Sequence, residues 1–347
     1  MTPPPAPARL EANKKLGVCY ALTPDGLELP VIDITHPAFA EPALSDAELQ
    51  ERFTRFLERS PFRRLPRFLR SLLFQRMMRR SLVGRCLLES RNSFVSGTST
   101  YLMKLGPDML GATYAQPLDR HFAQGPSLLA MRLRLHDMAH YLADVLGPVL
   151  AANPQAPLQF VDIAGGPAAD TWNALLLLHQ HAPALLEHRP IAIDVFDQDD
   201  AGPAFGRAAL AALCAPGAPL AGLAISFRHI PYDWRDTASL QSALSARASA
   251  TITVASSEGG LFEYGDDATI AANLAVLARA GNVLAVAGTF TSDDDLSRKL
   301  RQDRGAATHP RTASAFAALA SQSGWQVAKL REIPLSSRVL FTPAARA

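Results

Sequence analysis

Phe160-Val161-Asp162-Ile163-Ala164-Gly165-Gly166-Pro167-Ala168-Ala169-Asp170 is the stretch whose reading decides the fold. An apolar run ends in a turn of small residues, and helical periodicity follows. A buried strand therefore feeds a helix through a turn whose amides a ligand can approach. The GxGxxG spacing of a dinucleotide fingerprint is absent. Asp162 sits inside the strand just before the turn, where it would repel a pyrophosphate and suits a cationic ligand.

Downstream, short β-rich runs alternate with helical stretches. Strands are expected at 158–163, 191–196, 225–229, 251–255 and 283–287, with helices at 169–186, 203–214, 266–280 and 311–322. Two closing strands, 326–330 and 339–342, suggest an antiparallel edge. Such alternation predicts an α/β fold, a doubly wound, mostly parallel Rossmann-like sheet. The strand ends carry polar groups. Ile191–Phe196 runs into Asp197-Gln198-Asp199, a carboxylate placed for ribose hydroxyls. Tyr232-Asp233-Trp234 offers an acid and a ring for an adenine, and Ser256-Ser257-Glu258-Gly259-Gly260 follows the fourth strand. Each piece also has a plainer reading: a simple strand–helix turn, a cap at Asp197, a loop acid at Asp233, a core ring at Trp234, a surface acid at Glu258.

Upstream, residues 1–155 read as a mostly helical N-terminal cap or substrate domain, and 156–347 as the Rossmann-like one. Short strands are expected near 17–21 and 29–32, around the turn Pro24-Asp25-Gly26. Ser45-Asp46-Ala47-Glu48 is a capping box, and Leu49, Phe53, Phe56 and Leu57 follow at helical spacing. Further amphipathic stretches cover 65–78, 82–88 and 128–146. Residues 1–150 hold 19 Lys and Arg against 14 Asp and Glu, and the remainder 15 against 18. Twelve arginines lie between Arg52 and Arg91, opposed by Glu58 and Glu89. A solvated helix face facing the acidic second half accounts for them.

Composition narrows the partners. A formal net charge of +2 in 347 residues gives no general attraction to nucleic acid. No apolar run reaches membrane-spanning length, and the N-terminus lacks a signal core. Cys19, Cys86 and Cys214 are widely spaced, which points to a reducing, cytoplasmic setting. The partner expected is a small molecule, with no nucleic acid and no membrane; exposed apolar helices leave room for a homodimer. His136 and His140 stand one turn apart, yet no third ligand accompanies them, so no metal is expected. Tyr101, Tyr114, Phe262 and Tyr264 are candidate wall residues around the reacting centre, each with core packing as its competing role.

The run VDIAGGPAAD (161–170), the acid in VFDQD (195–199) and the later YDW (232–234) resemble the first three motifs of class I S-adenosylmethionine-dependent methyltransferases, over roughly residues 156–347. The resemblance implies S-adenosylmethionine as cofactor. Asp162 with Ala164, Gly165 and Gly166 would line its methionine part, Asp197 with Gln198 its ribose, and Asp233 with Trp234 its adenine; Ser256 and Glu258 would complete the pocket. Ala164 and Ala168 replace the outer glycines of the family's turn, and the segment from turn to ribose acid is longer than usual. No Asp/Asn-Pro-Pro-Tyr follows the fourth strand, which disfavours nucleobase or glutamine N-methylation. Methyl transfer to a small metabolite of specialised metabolism is the leading expectation. The alternatives are cyclisation of S-adenosylmethionine to azetidine-2-carboxylate and methylthioadenosine, as in the azetidine-2-carboxylate synthase branch, and a non-catalytic binding module.

Overall fold

The computed structural model describes residues 14–58, 67–89, 96–111, 117–302 and 308–345. A small antiparallel hairpin comes first, β1 (Tyr20–Leu22) against β2 (Glu28–Pro30), closed through Gly26, whose φ of 83° lies in the left-handed region. Six helices follow: α1 (Asp46–Glu58), α2 (Arg67–Met78), α3 (Leu82–Glu89), α4 (Gly97–Lys104), α5 (Pro117–Ala123) and α6 (Pro126–Ala152).

The capping box forms as its sequence dictates. The Ser45 amide donates to Glu48 Oε2 (2.8 Å), and the Glu48 amide donates to Ser45 Oγ (3.3 Å). Leu49 and Phe53 face the core, whereas Phe56 is exposed; the Leu57 side chain lies outside the described residues. In α6, Pro126 occupies the first turn, where its missing N–H leaves no intrahelical bond unmade.

The second half contains β3 (Leu158–Ile163), α7 (Ala169–His181), β4 (Ile191–Asp197), α8 (Ala201–Leu213), β5 (Ile225–Pro231), α9 (Ala238–Ser245), β6 (Ile252–Ser257), α10 (Leu261–Tyr264), α11 (Asp267–Ala280), β7 (Val283–Phe290), α12 (Asp295–Gln302), α13 (Ala313–Gln322), β8 (Trp325–Arg331) and β9 (Ser337–Pro343). They build a seven-stranded sheet in the order β5-β4-β3-β6-β7-β9-β8, an α/β Rossmann-like layer. The five strands from β5 to β7 are mutually parallel, while β9 is antiparallel to both its neighbours.

The two closing strands form the antiparallel edge expected of them, with β9 inserted between β7 and β8. Burial explains the order. Val339, Leu340 and Phe341 make β9 apolar on both faces, which suits an inner position, whereas most of β8 is exposed and forms the edge.

The chain moves outward from β3 to β5 and returns to β6 on the other side of β3. This reversal opens a crevice beyond the carboxyl ends of β3 and β6. The helical segment shares one core with the sheet: Leu29, Val31, Tyr101, Leu102 and Leu142 belong to the same cluster as Phe160, Trp172, Val195 and Phe205. Among the described residues, no helix is long and apolar enough to cross a membrane.

Candidate active site

The turn after β3 is wound tightly by its backbone. Ala164, Gly166 and Ala168 all have positive φ, 55°, 60° and 63°. Two of these positions carry a side chain in a region that L-residues rarely adopt. The Ala164 amide donates to the Phe196 carbonyl (2.8 Å), fastening the turn to β4. A Cβ on Gly165 would stand 2.0 Å from Asp162 Oδ1, so any side chain there would have to displace that buried carboxyl.

Asp197 closes the other side. Its Oδ2 accepts from the Gly166 amide and its Oδ1 from the Asp199 amide, both at 2.9 Å. Burial pushes its carboxyl above the ordinary range. Asp199 binds the start of α4: its Oδ2 accepts from the Gly97 amide at 2.7 Å, and its Oδ1 from the Ala201 amide at 3.1 Å. The N-terminal end of α4 thus rests directly on the turn.

These groups border a cavity of about 710 Å³. The sheet contributes Ala164–Gly166, Asp197–Asp199, Tyr232–Arg235 and Glu258–Gly260, and Tyr264 adds a phenol. Ser127, Ala130, Met131 and Arg134 line it from α6, at the i, i+3, i+4, i+7 spacing of one helix face. Asp233 is half exposed and paired with Arg235 (2.6 Å), whose guanidinium holds its carboxyl below the usual range. Burial, reinforced by Glu263, pushes the Tyr264 phenol up to about 12, so it keeps its proton at neutral pH.

A buried ion cluster joins α4 and α6 to the sheet beside the cavity. Glu258 is paired with the Lys104 ammonium, and Arg134 Nε donates to its Oε1 at 2.6 Å. Burial pushes the Glu258 carboxyl up, but the two cations outweigh it and hold it below its ordinary value. Arg134 Nη1 donates to Glu263 Oε1 (3.0 Å), which also accepts from the Thr289 hydroxyl (3.1 Å). Below the turn, Asp162 and Asp170 lie fully buried beside each other, with the Ser256 hydroxyl next to Asp170. Burial raises both carboxyls; Asp170 adds to the effect on Asp162, and Glu258 to that on Asp170. A proton held between them would relieve the repulsion.

Of the residues singled out in the sequence, Ala164, Gly165, Gly166, Asp197, Gln198, Asp233, Trp234, Glu258 and Tyr264 meet in this one cavity. Others do not border it. Asp162 is buried behind the turn, and Ser256 is buried within β6. Tyr101 is no wall residue: its hydroxyl donates to the Pro30 carbonyl and accepts from the Ile32 amide, both at 2.7 Å, and its ring packs on Phe205. Phe262 is core as well, stacked edge-on against Phe316 and filling the space that Gly288 leaves. Tyr114 lies outside the described residues.

Arg134 and Glu263, which border the cavity, and Lys104, which pairs with Glu258, were not legible in the sequence; Arg134 left only a trace, a charge inside an otherwise apolar helical stripe. His136 borders a second cavity of about 340 Å³, where burial pushes it down to about 4. Between the two histidines, Asp137 is bound by Arg331 at 2.9 Å. Among the described residues, no group of three or more His, Cys, Asp or Glu is placed to hold a metal.

No protein-family profile matches the chain, and no curated protein matches it. Solved structures do. Mitomycin 7-O-methyltransferase MmcR is 16% identical over 81% of this chain and 74% of that one, with a TM-score of 0.39. Pyocyanin biosynthetic protein PhzM is 16% identical over 64% and 58%, with a TM-score of 0.38. LepI in complex with SAM is 16% identical over 58% and 46%, with a TM-score of 0.37. The chain spans about half the length of LepI. By its own strand order, with one antiparallel strand next to the last, and by its glycine turn after the first strand of the sheet, this protein has an α/β Rossmann-like fold in the arrangement that the sequence resemblance to class I S-adenosylmethionine-dependent methyltransferases implies.

Proposed function

We propose that this protein binds S-adenosylmethionine and transfers its methyl group to a small metabolite. One observation carries the reading: the Gly166 amide is hydrogen-bonded to Asp197, joining the glycine turn to the strand-end acid in the wall of a single lidded cavity. The turn, Ala164–Gly166, would take the methionine part. Asp197 and Gln198 would take the ribose, and Asp233 with Trp234 the adenine. The residues fit such a group: two glycines clear the approach, and the acids bordering the cavity suit a cation. When bound, the cofactor supplies a methyl carbon made electrophilic by a sulfonium.

The chain's own task is then alignment and the exclusion of water. α4 and α6 roof the cavity, and an acceptor atom must be held ~3 to 3.5 Å from the reacting carbon. Neither Glu258 nor Tyr264 is set up to remove a proton. The first has its oxygens engaged by Lys104 and Arg134, and the second keeps its own proton.

The test incubates the protein with S-adenosylmethionine, with and without metabolite extracts, and follows nucleosides by mass spectrometry and melting temperature. A raised melting temperature, with S-adenosylhomocysteine formed only in the presence of an acceptor, supports the reading. Methylthioadenosine released without any acceptor would replace methyl transfer by cyclisation. No thermal shift and no nucleoside product would leave a non-catalytic module.

A further inference from the structure

Arg134 uses only part of its guanidinium on the protein. Nε donates to Glu258 and Nη1 to Glu263, and among the described residues Nη2 has no acceptor. The fork is planar and rigid, so two fixed bonds also fix the direction of the third nitrogen. That nitrogen lies against Gly259, where a Cβ would stand 2.3 Å from it and φ is +76°. The end of β6 is therefore cleared of side chains at this point. Gly260 continues the strip, since a Cβ there would lie 2.5 Å from the Ala164 carbonyl. Nη2 and the glycine turn thus share one wall of the cavity.

We propose that Arg134 Nη2 is a carboxylate-binding point, a subsite that selects ligands by this group. Charge explains the class. Lys104 and Arg134 balance Glu258 and Glu263, leaving the cluster neutral, so a single negative charge meets no net repulsion there. Asp197 and Asp199, bordering the same cavity, would repel a dianion such as phosphate. A charge-assisted N–H···O bond then favours a carboxylate over a neutral carbonyl. The carboxylate belongs either to the methionine part of the cofactor or to the acceptor. The first source rests on the S-adenosylmethionine reading, and the second does not.

Calorimetry distinguishes them. Wild type and Arg134→Lys, which keeps the charge but loses the fork, are titrated with S-adenosylmethionine and with decarboxylated S-adenosylmethionine. They are also titrated with benzoate and with benzamide, each in the presence and absence of S-adenosylhomocysteine. If the cofactor supplies the group, wild type binds S-adenosylmethionine at least tenfold more tightly than the decarboxylated form, and the variant narrows that gap. If the acceptor supplies it, the two cofactor forms bind alike, while benzoate outbinds benzamide tenfold in wild type and not in the variant. Absence of both preferences in wild type overturns the proposal, whether or not the variant folds. A protein that binds no nucleoside yet prefers benzoate would keep this subsite and overturn the proposed function instead.

Discussion

Gly97 of α4 and Gly166 of the turn are in backbone contact: a Cβ on Gly166 would lie 2.8 Å from the Gly97 Cα, and Gly202 packs on the same point. The N-terminal end of α4 is thus seated on the loop that would hold the cofactor. Gly166→Ala adds a steric clash to a φ of +60°. Left-handed strain and overpacking together cost about 2 to 4 kcal/mol. Urea unfolding should show that loss, accompanied by weaker S-adenosylmethionine binding as α4 is displaced. Gly106→Ala, which meets nothing within 4 Å, should stay within about 0.5 kcal/mol of wild type.

Asp197→Ala is expected to weaken S-adenosylmethionine binding by about 1.5 to 3 kcal/mol, through lost charge-assisted bonds to ribose. The same change also frees the Gly166 and Asp199 amides. Asp197→Asn keeps one acceptor oxygen for them and should lose less stability while still losing affinity. Calorimetric titration of both variants checks this, and an unchanged dissociation constant in Asp197→Ala would place the ribose elsewhere.

Much of this geometry was readable in the amino-acid order. Strands such as Leu158–Ile163 are short, mostly apolar runs bounded by turn residues, so composition and length identify them, and the acids at Asp197 and Asp233 mark strand ends. Contacts between distant segments were not readable. Nothing local says that Lys104 reaches Glu258, or that Tyr101 is held by the Pro30 and Ile32 backbone rather than facing a ligand. Strand order behaved likewise. Two terminal strands imply an antiparallel pair, but which of them lies inside depends on their relative burial against neighbours far along the chain.

Ala164 occupies a position where the resembling family has glycine, yet it keeps φ at 55°. Its methyl is only partly buried, so little packing is lost on removing it. Ala164→Gly should relieve left-handed strain and stabilise the fold by up to about 1 kcal/mol, net of glycine's larger chain entropy. Ala164→Val, bulkier and β-branched, should destabilise it. Paired urea titrations decide the sign; a loss on going to glycine would mean that the methyl packs more tightly than its exposure indicates.

Asp162 and Asp170 should make stability fall as pH rises. Their carboxyls are raised by burial and, for Asp162, by Asp170 itself; Asp197 and Glu258 add repulsion to Asp162, and Lys104 and the Ser256 hydroxyl oppose the rise at Asp170. A carboxyl raised in the folded state holds a proton that the unfolded chain has already released, so the folded form binds more protons and the stability slope with pH is negative. The stabilisation is complete below the ordinary carboxylate range and disappears as pH climbs through the raised values. Asp170→Asn removes one titrating group and gives Asp162 an amide donor. The variant should therefore show a flatter melting temperature from pH 5 to 9, and at pH 8 should exceed wild type by on the order of 1 to 3 kcal/mol, the usual worth of satisfying a buried polar group. Melting curves across that range test it, and parallel curves for the two proteins would mean that the pair does not share a proton.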